Sequence, residues 1–194
     1  YLSYTAYNGI NALGALATST DLIHWDKQGI IVPKITYDEF KHFTESSGKI
    51  REKYQRFNAH QISHQRHDRT EFMWDKNLIF FPRRINGKIC FLHRIKPDIQ
   101  IVVSIDSLAD LTTEFWQNYF HNFDNFVVLS SKFQHEVSYI GSGCPPIETE
   151  DGWLLIYHGV HDTVNGYVYT ACAALLDLDL SLIHISEPTR QAEI

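Results

Sequence analysis

Three stretches of this chain repeat one grammar: an apolar strand that ends in polar residues, a short turn, and a second strand that closes on a Ser/Asp/Leu corner. They read YLSYTAYNG then ALGALATSTDL (1–22), KICFLHRI then DIQIVVSIDSL (88–108), and GWLLIYHGV then GYVYTACAALLDL (152–178). The strands are rich in Tyr, Val, Ile and Phe, and Asn-Gly, Lys-Pro-Asp and Asn-Gly separate them, which are hairpin signals. A repeated hairpin cannot bury its apolar face alone, so the copies must stack. Antiparallel blades around a central channel, a β-propeller, are the architecture this predicts. Superposing the copies puts Ala6, Arg94 and His158 at one place, the end of an inner strand facing the axis. Gly159 is then expected to let the backbone turn sharply and end its strand after His158.

Between Trp25 and Trp74 the pattern changes. Residues 37–43 have helical spacing after Thr36, a plausible N-cap, and residues 50–62 are polar with Tyr54, Phe57 and Ile62 at helical intervals. A helical insertion over 36–70 follows. Residues 112–120 predict another short helix, capped by Thr112 or Thr113. The chain opens without Met and already in strand chemistry, so it is expected to be a fragment, with 1–180 forming a partial propeller domain. Residues 181–194 have neither strand periodicity nor helix caps. They resemble the in-frame translation of a transposase sequencing adapter and are expected to be a non-native tail.

With 194 residues, 44% hydrophobic and 21% charged, the composition is that of a globular chain rather than a disordered one. A net charge of −6 supplies no broad basic field, which argues against nucleic acid as a partner. Cys90, Cys144 and Cys172 are odd in number and lack metal spacing, which fits a reducing, cytoplasmic compartment. No apolar run approaches the roughly 18 residues that span a bilayer, so no membrane partner is expected.

Several patterns carry potential chemistry. His60, His64 and His67 have helical spacing, but no Glu follows the first and no thiolate is near, so a solvated face is expected and no metal. Gly141-Ser142-Gly143 precedes two prolines rather than a helix, so no nucleotide fingerprint applies and a strand-entry turn is expected. Cys144 has no assigned base, and no Gly-x-Ser-x-Gly is present. Cations crowd the segment 74–88, and Arg94 differs from them in standing at a strand end, where a guanidinium can grip a phosphate or carboxylate bidentately beside His158.

The segments FFPRRINGK followed by FLHRIKPDIQIV, SYIGSGCPPIETEDGWLLIYHGV, and YTAYNG followed by ALATSTDLIHW resemble glycoside hydrolase family 130 over nearly all of 1–180. The resemblance implies an all-β, five-bladed β-propeller, incomplete here at roughly three blades, with the helical insertion. It implies an inverting phosphorylase that uses inorganic phosphate to cleave β-mannosides, giving α-mannose 1-phosphate. Phosphate is already a nucleophile, so such an enzyme needs one carboxylic acid rather than two, and cations to hold the anion. Matched by motif, Lys76, Arg94 and His158 take phosphate-binding positions, while Asn77, Tyr139, Tyr167 and Tyr169 face the sugar. The implied partners are a β-mannoside oligosaccharide and phosphate as co-substrate, with no cofactor, and a homo-oligomer stays compatible.

Two departures bear on that expectation. Tyr139 stands where many family phosphorylases carry a lysine, and Lys76 stands where arginine is usual, which keeps a β-mannosidase of the same family as an alternative. The family's general acid is the Asp of a Glu-Asp-Pro-Arg motif, expected upstream of Tyr1. A non-catalytic carbohydrate-binding propeller is therefore a further alternative.

Overall fold

A computed structural model of the chain describes residues 1–47, 52–64 and 70–180. The segment 181–194 lies outside the described residues. Strands β1 (Leu2–Tyr7), β2 (Ala12–Thr18) and β3 (Asp26–Ile30) are followed by helices α1 (Tyr37–Ser47) and α2 (Glu52–His64). Next come β4 (Asp75–Phe80), β5 (Ile89–Ile95), β6 (Ile99–Ile105), α3 (Thr113–His121) and β7 (Val127–Leu129). The chain continues through β8 (Tyr139–Ser142), β9 (Ile147–Thr149), β10 (Gly152–Thr163) and β11 (Gly166–Leu176).

The first seven strands form one sheet in the order β1-β2-β4-β5-β6-β7, with β3 on β2; the other four run β11-β10-β8, with β9 on β10. Neighbours are antiparallel except β2 and β4, which meet in parallel at Leu13 and Asp75. The architecture is mostly β with few helices, and among the described residues neither sheet closes on itself.

The three repeats are the hairpins β1–β2, β5–β6 and β10–β11. Their place in the sheets differs from the expectation. β5 lies between β4 and β6, and β10 between β8 and β11, so Arg94 and His158 stand on second strands rather than inner ones. Nor does β10 end at His158: it stays paired to β11 as far as Thr163. Gly159 makes no turn. A Cβ there would come within 2.7 Å of Glu136 Cγ and 3.0 Å of the His135 carbonyl oxygen, so it is close approach by the neighbouring chain that demands glycine.

β5 explains where the core sits. Its alternating side chains enter two clusters: Phe91 and Ile95 face the helices, and Cys90 and Leu92 face the second sheet. A strand buried on both faces carries successive apolar residues, as ICFL does at the start of β5. On the helix side Phe40 of α1 meets Phe120 and Phe123 edge-on, at centroid distances of 5.6 and 5.1 Å. On the other side Trp153 and Leu155 of β10 and Ile140 of β8 pack with Leu92, Ile99 and Ile101.

The helices begin where their caps direct. Thr36 Oγ1 accepts from the Glu39 N–H at 3.2 Å while Glu39 Oε2 accepts from the Thr36 N–H at 2.7 Å, a reciprocal capping box. Thr112, rather than Thr113, caps α3 by accepting from the Phe115 N–H. α2 is fastened by the fully buried Asp98, which accepts from Lys53 Nζ, from the Tyr54 hydroxyl at 2.7 Å and from the Ser131 N–H at 3.1 Å.

Candidate functional site

The site begins with an irregularity in β4. Lys76 pairs with Arg94 and Ile79 with Leu92, so the register slips between them and the strand bulges. Asn77 sits at the bulge with φ 58°, a left-handed conformation that asparagine tolerates better than most residues. Bulges re-aim side chains, and this one lets Asn77 Nδ2 donate to the Ser142 carbonyl at 3.1 Å, tying β4 to β8. A second tie comes from the β5–β6 turn, where the Pro97 carbonyl accepts from the Ile140 N–H at 2.9 Å.

These two ties bring the strand ends together around Arg94. Arg94 is 2% exposed, its Cζ lies 5.0 Å from the Tyr139 ring centroid, and its Nε and Nη1 have no hydrogen-bond partner. A buried donor without an acceptor is costly, more so when charged, so a pair of them marks a place for something absent. The Tyr139 hydroxyl is 2.7 Å from that of Tyr169, and the Tyr169 ring is 5.6 Å from His158. Tyr167 meets Tyr139 edge-on at 6.0 Å. The structure thus gathers Lys76, Asn77, Arg94, Tyr139, His158, Tyr167 and Tyr169 at one place.

Gly141 permits the closest approach. A Cβ there would lie 2.7 Å from His158 Nε2 and 3.2 Å from Asn77 Nδ2, so imidazole and amide meet over a bare backbone. Gly141 and Ser142 lie within β8 and pair with His158 and Tyr157, so this Gly-Ser-Gly stretch is a strand, where a strand-entry turn is expected from sequence.

The electrostatics carry one sign. Burial, then Arg94, pushes the Lys76 ammonium below its ordinary range. Burial, then Arg94 and Lys76, pushes the His158 imidazole down. Burial lowers even the Arg94 guanidinium, against the pull of Tyr139 and Asp75. Lys76 and Arg94 repel each other, and among the described residues neither has a carboxylate within ion-pair distance. Asp75 is 1% exposed and holds His93 Nδ1 at 2.8 Å; His93 Nε2 contacts the Tyr119 hydroxyl at 2.8 Å, and that hydroxyl donates to the Ile101 carbonyl. This buried chain lies directly behind Arg94 in sequence and register and fixes β4 against β5 and α3.

Sequence reading missed Lys96, whose Nζ lies 3.9 Å from the Tyr139 centroid. The Lys-Pro-Asp signal marks it as turn and hides its direction. The side chains of His60 and His64, and all of His67, lie outside the described residues. Among the described residues His135, Glu136 and Cys172 have ligand-type atoms within 4.8 Å of one another. Glu136 is already committed there, accepting from the Tyr157 hydroxyl at 2.7 Å and from the Lys132 and Phe133 N–H groups. Burial pushes the Cys172 thiol up, away from the thiolate a metal needs.

Two sheets of hairpins thus carry one cluster of cations and tyrosines, and comparison with known proteins gives the family. The chain matches the sequence model described as beta-1,4-mannooligosaccharide phosphorylase over residues 1–189, and it belongs to glycoside hydrolase family 130. It is 34% identical over 109 residues to the beta-1,4-mannooligosaccharide phosphorylase of Ruminococcus albus, an alignment covering 55% of this chain and 30% of that enzyme. To the 1,2-beta-oligomannan phosphorylase of a Thermoanaerobacter species it is 37% identical over 105 residues, covering 54% and 31%. In structure it resembles the beta-1,2-mannobiose phosphorylase of Listeria innocua, with a TM-score of 0.55 and 24% identity over 93% of this chain and 38% of that one. The matched part spans about a third of the length of these curated relatives.

Proposed function

We propose that this chain forms the phosphate-binding and part of the mannoside-binding surface of an inverting β-mannoside phosphorylase built as a five-bladed propeller. Inorganic phosphate, held by Lys76, Arg94 and His158, attacks the anomeric carbon of a terminal β-mannose. The C–O bond to the leaving sugar breaks, a carboxylic acid protonates the departing oxygen, and α-mannose 1-phosphate results. The family resemblance assigns that acid to the Asp of a Glu-Asp-Pro-Arg motif, which this sequence does not contain, while Asp75 is engaged by His93. Asn77, Tyr139, Tyr167 and Tyr169 supply the amide, hydroxyls and ring faces that a sugar binds. No cofactor is required, since phosphate is the co-substrate. Cys90, Cys144 and Cys172 carry thiols rather than disulfides, which favours a reducing compartment such as the cytoplasm, and among the described residues no helix is long and apolar enough to cross a membrane.

The observation that carries this reading is Arg94, buried with two donors unused beside two further basic residues. A hydrolase of the same fold has no need to keep such a cation free. Titrating inorganic phosphate into the protein by calorimetry tests it. Arg94→Met is expected to weaken binding by roughly tenfold to a hundredfold, the range for losing charged hydrogen bonds. The same variant is expected to melt at a higher temperature, because it removes a buried unpaired charge. Equal phosphate affinity in both proteins contradicts the assignment. In preparations that turn over β-mannobiose, mannose 1-phosphate identifies the phosphorylase and free mannose the hydrolase.

A further inference from the structure

We propose that Lys96 is an anion-binding residue of this site, a third cation held over the Tyr139 ring to contact phosphate oxygens. The inference rests on the phosphate reading above and adds a residue to it. Lys96 directly precedes Pro97, whose carbonyl is bonded to Ile140 of β8, so the turn is pinned against the strand that carries Tyr139. The ammonium lies 3.9 Å from the centroid of that ring, and the Arg94 guanidinium carbon lies 5.0 Å from the same centroid. One aromatic ring thereby orients two cations. The ring itself is fixed, since its hydroxyl is bonded to Tyr169.

A lysine without a site-related task extends its ammonium into water. Lys96 instead turns toward Arg94 and Lys76, whose charges oppose its own, and among the described residues it has no carboxylate within ion-pair distance. The groups facing it are Lys76 on β4, Arg94 on β5, Tyr139 on β8, and Asp162 on β10, which is solvent-exposed and the only acid among them. A tetrahedral dianion supplies the negative charge this arrangement lacks.

A pH dependence follows. Burial, then Arg94 and Lys76, pushes Lys96 down to about 8. An anion raises that value, so binding takes up a proton above pH 8. Affinity is complete below pH 8 and declines as pH rises past it, by about tenfold per unit until the bound-state value is reached.

Calorimetry with sulfate, a tetrahedral dianion that does not titrate in this range, separates the protein's proton from the ligand's. The unmodified protein is expected to bind sulfate about tenfold more weakly at pH 9 than at pH 7. Titrations at pH 8.5 in two buffers of different ionisation heat are expected to show proton uptake. Lys96→Arg is expected to keep the affinity and lose most of both effects, because guanidinium does not titrate there. Lys96→Gln is expected to bind phosphate about tenfold more weakly at pH 7. If Arg94→Met loses phosphate while Lys96→Gln retains it in full, Lys96 is excluded and the site stands. If Arg94→Met retains phosphate, the site reading itself falls. Absence of proton uptake in the unmodified protein contradicts the pH dependence, and full retention of sulfate affinity by Lys96→Gln overturns the Lys96 assignment.

Discussion

Two glycines show how single atoms separate binding from stability in this protein. At Gly141 an added methyl would strike the His158 ring, the free end of a side chain that can rotate away. At Gly159 it would strike Glu136 Cγ and the His135 carbonyl, part of a buried and committed turn. Gly141→Ala is therefore expected to cost under about 1 kcal/mol of stability yet weaken phosphate binding about tenfold by displacing the imidazole. Gly159→Ala is expected to destabilise by about 1–3 kcal/mol with phosphate affinity unchanged in the folded fraction. Melting curves and phosphate titrations on the two variants check the contrast, and the reverse pattern contradicts the site geometry. Arg94 and His158 stand out in the sequence because each is a polar residue within a largely apolar strand. Lys96 was hidden by its turn, and Asp75 with His93 by the need to know which strand faces which.

At the level of elements, the hairpins and helices follow from local chemistry, but their order in the sheets does not. The turn signals, the caps at Thr36 and Thr112 and the apolar runs each act within a few residues. That β4 and β8, rather than β5 and β10, lie toward one another depends on the bulge at Asn77 and on the Pro97 to Ile140 bond, both of which link distant segments. Nor does His158-Gly159 end a strand, since glycine in a strand serves close approach as readily as a turn. The attachment of α2 has a similar long-range origin in Asp98, which serves Lys53, Tyr54 and the Ser131 backbone together. Asp98→Ala strands all three groups and is expected to cost about 3–5 kcal/mol. Denaturant titration measures that loss, and hydrogen exchange is expected to show α2 losing protection before β5. A change under about 1 kcal/mol would mean that this carboxylate does not hold the helix.

Across the whole molecule, two apolar clusters share β5, and the cation group sits where that strand, β4, β8 and β10 converge. The cation group draws on several segments, with Lys76 on β4 and His158 on β10 far apart in the chain. Among the described residues β1 and β11 each pair with one neighbour, and they carry the exposed Tyr7, Tyr167 and Tyr169. The resemblance read from the motifs and the family match agree, while ring closure lies beyond what two open sheets display. A crystal structure of the protein grown with inorganic phosphate tests the central claim most directly. Density for a tetrahedral anion bonded to the free Arg94 nitrogens and reaching Lys76 and His158 is the predicted result. A well-ordered Arg94 turned away from those two side chains, or phosphate bound only elsewhere, would contradict it.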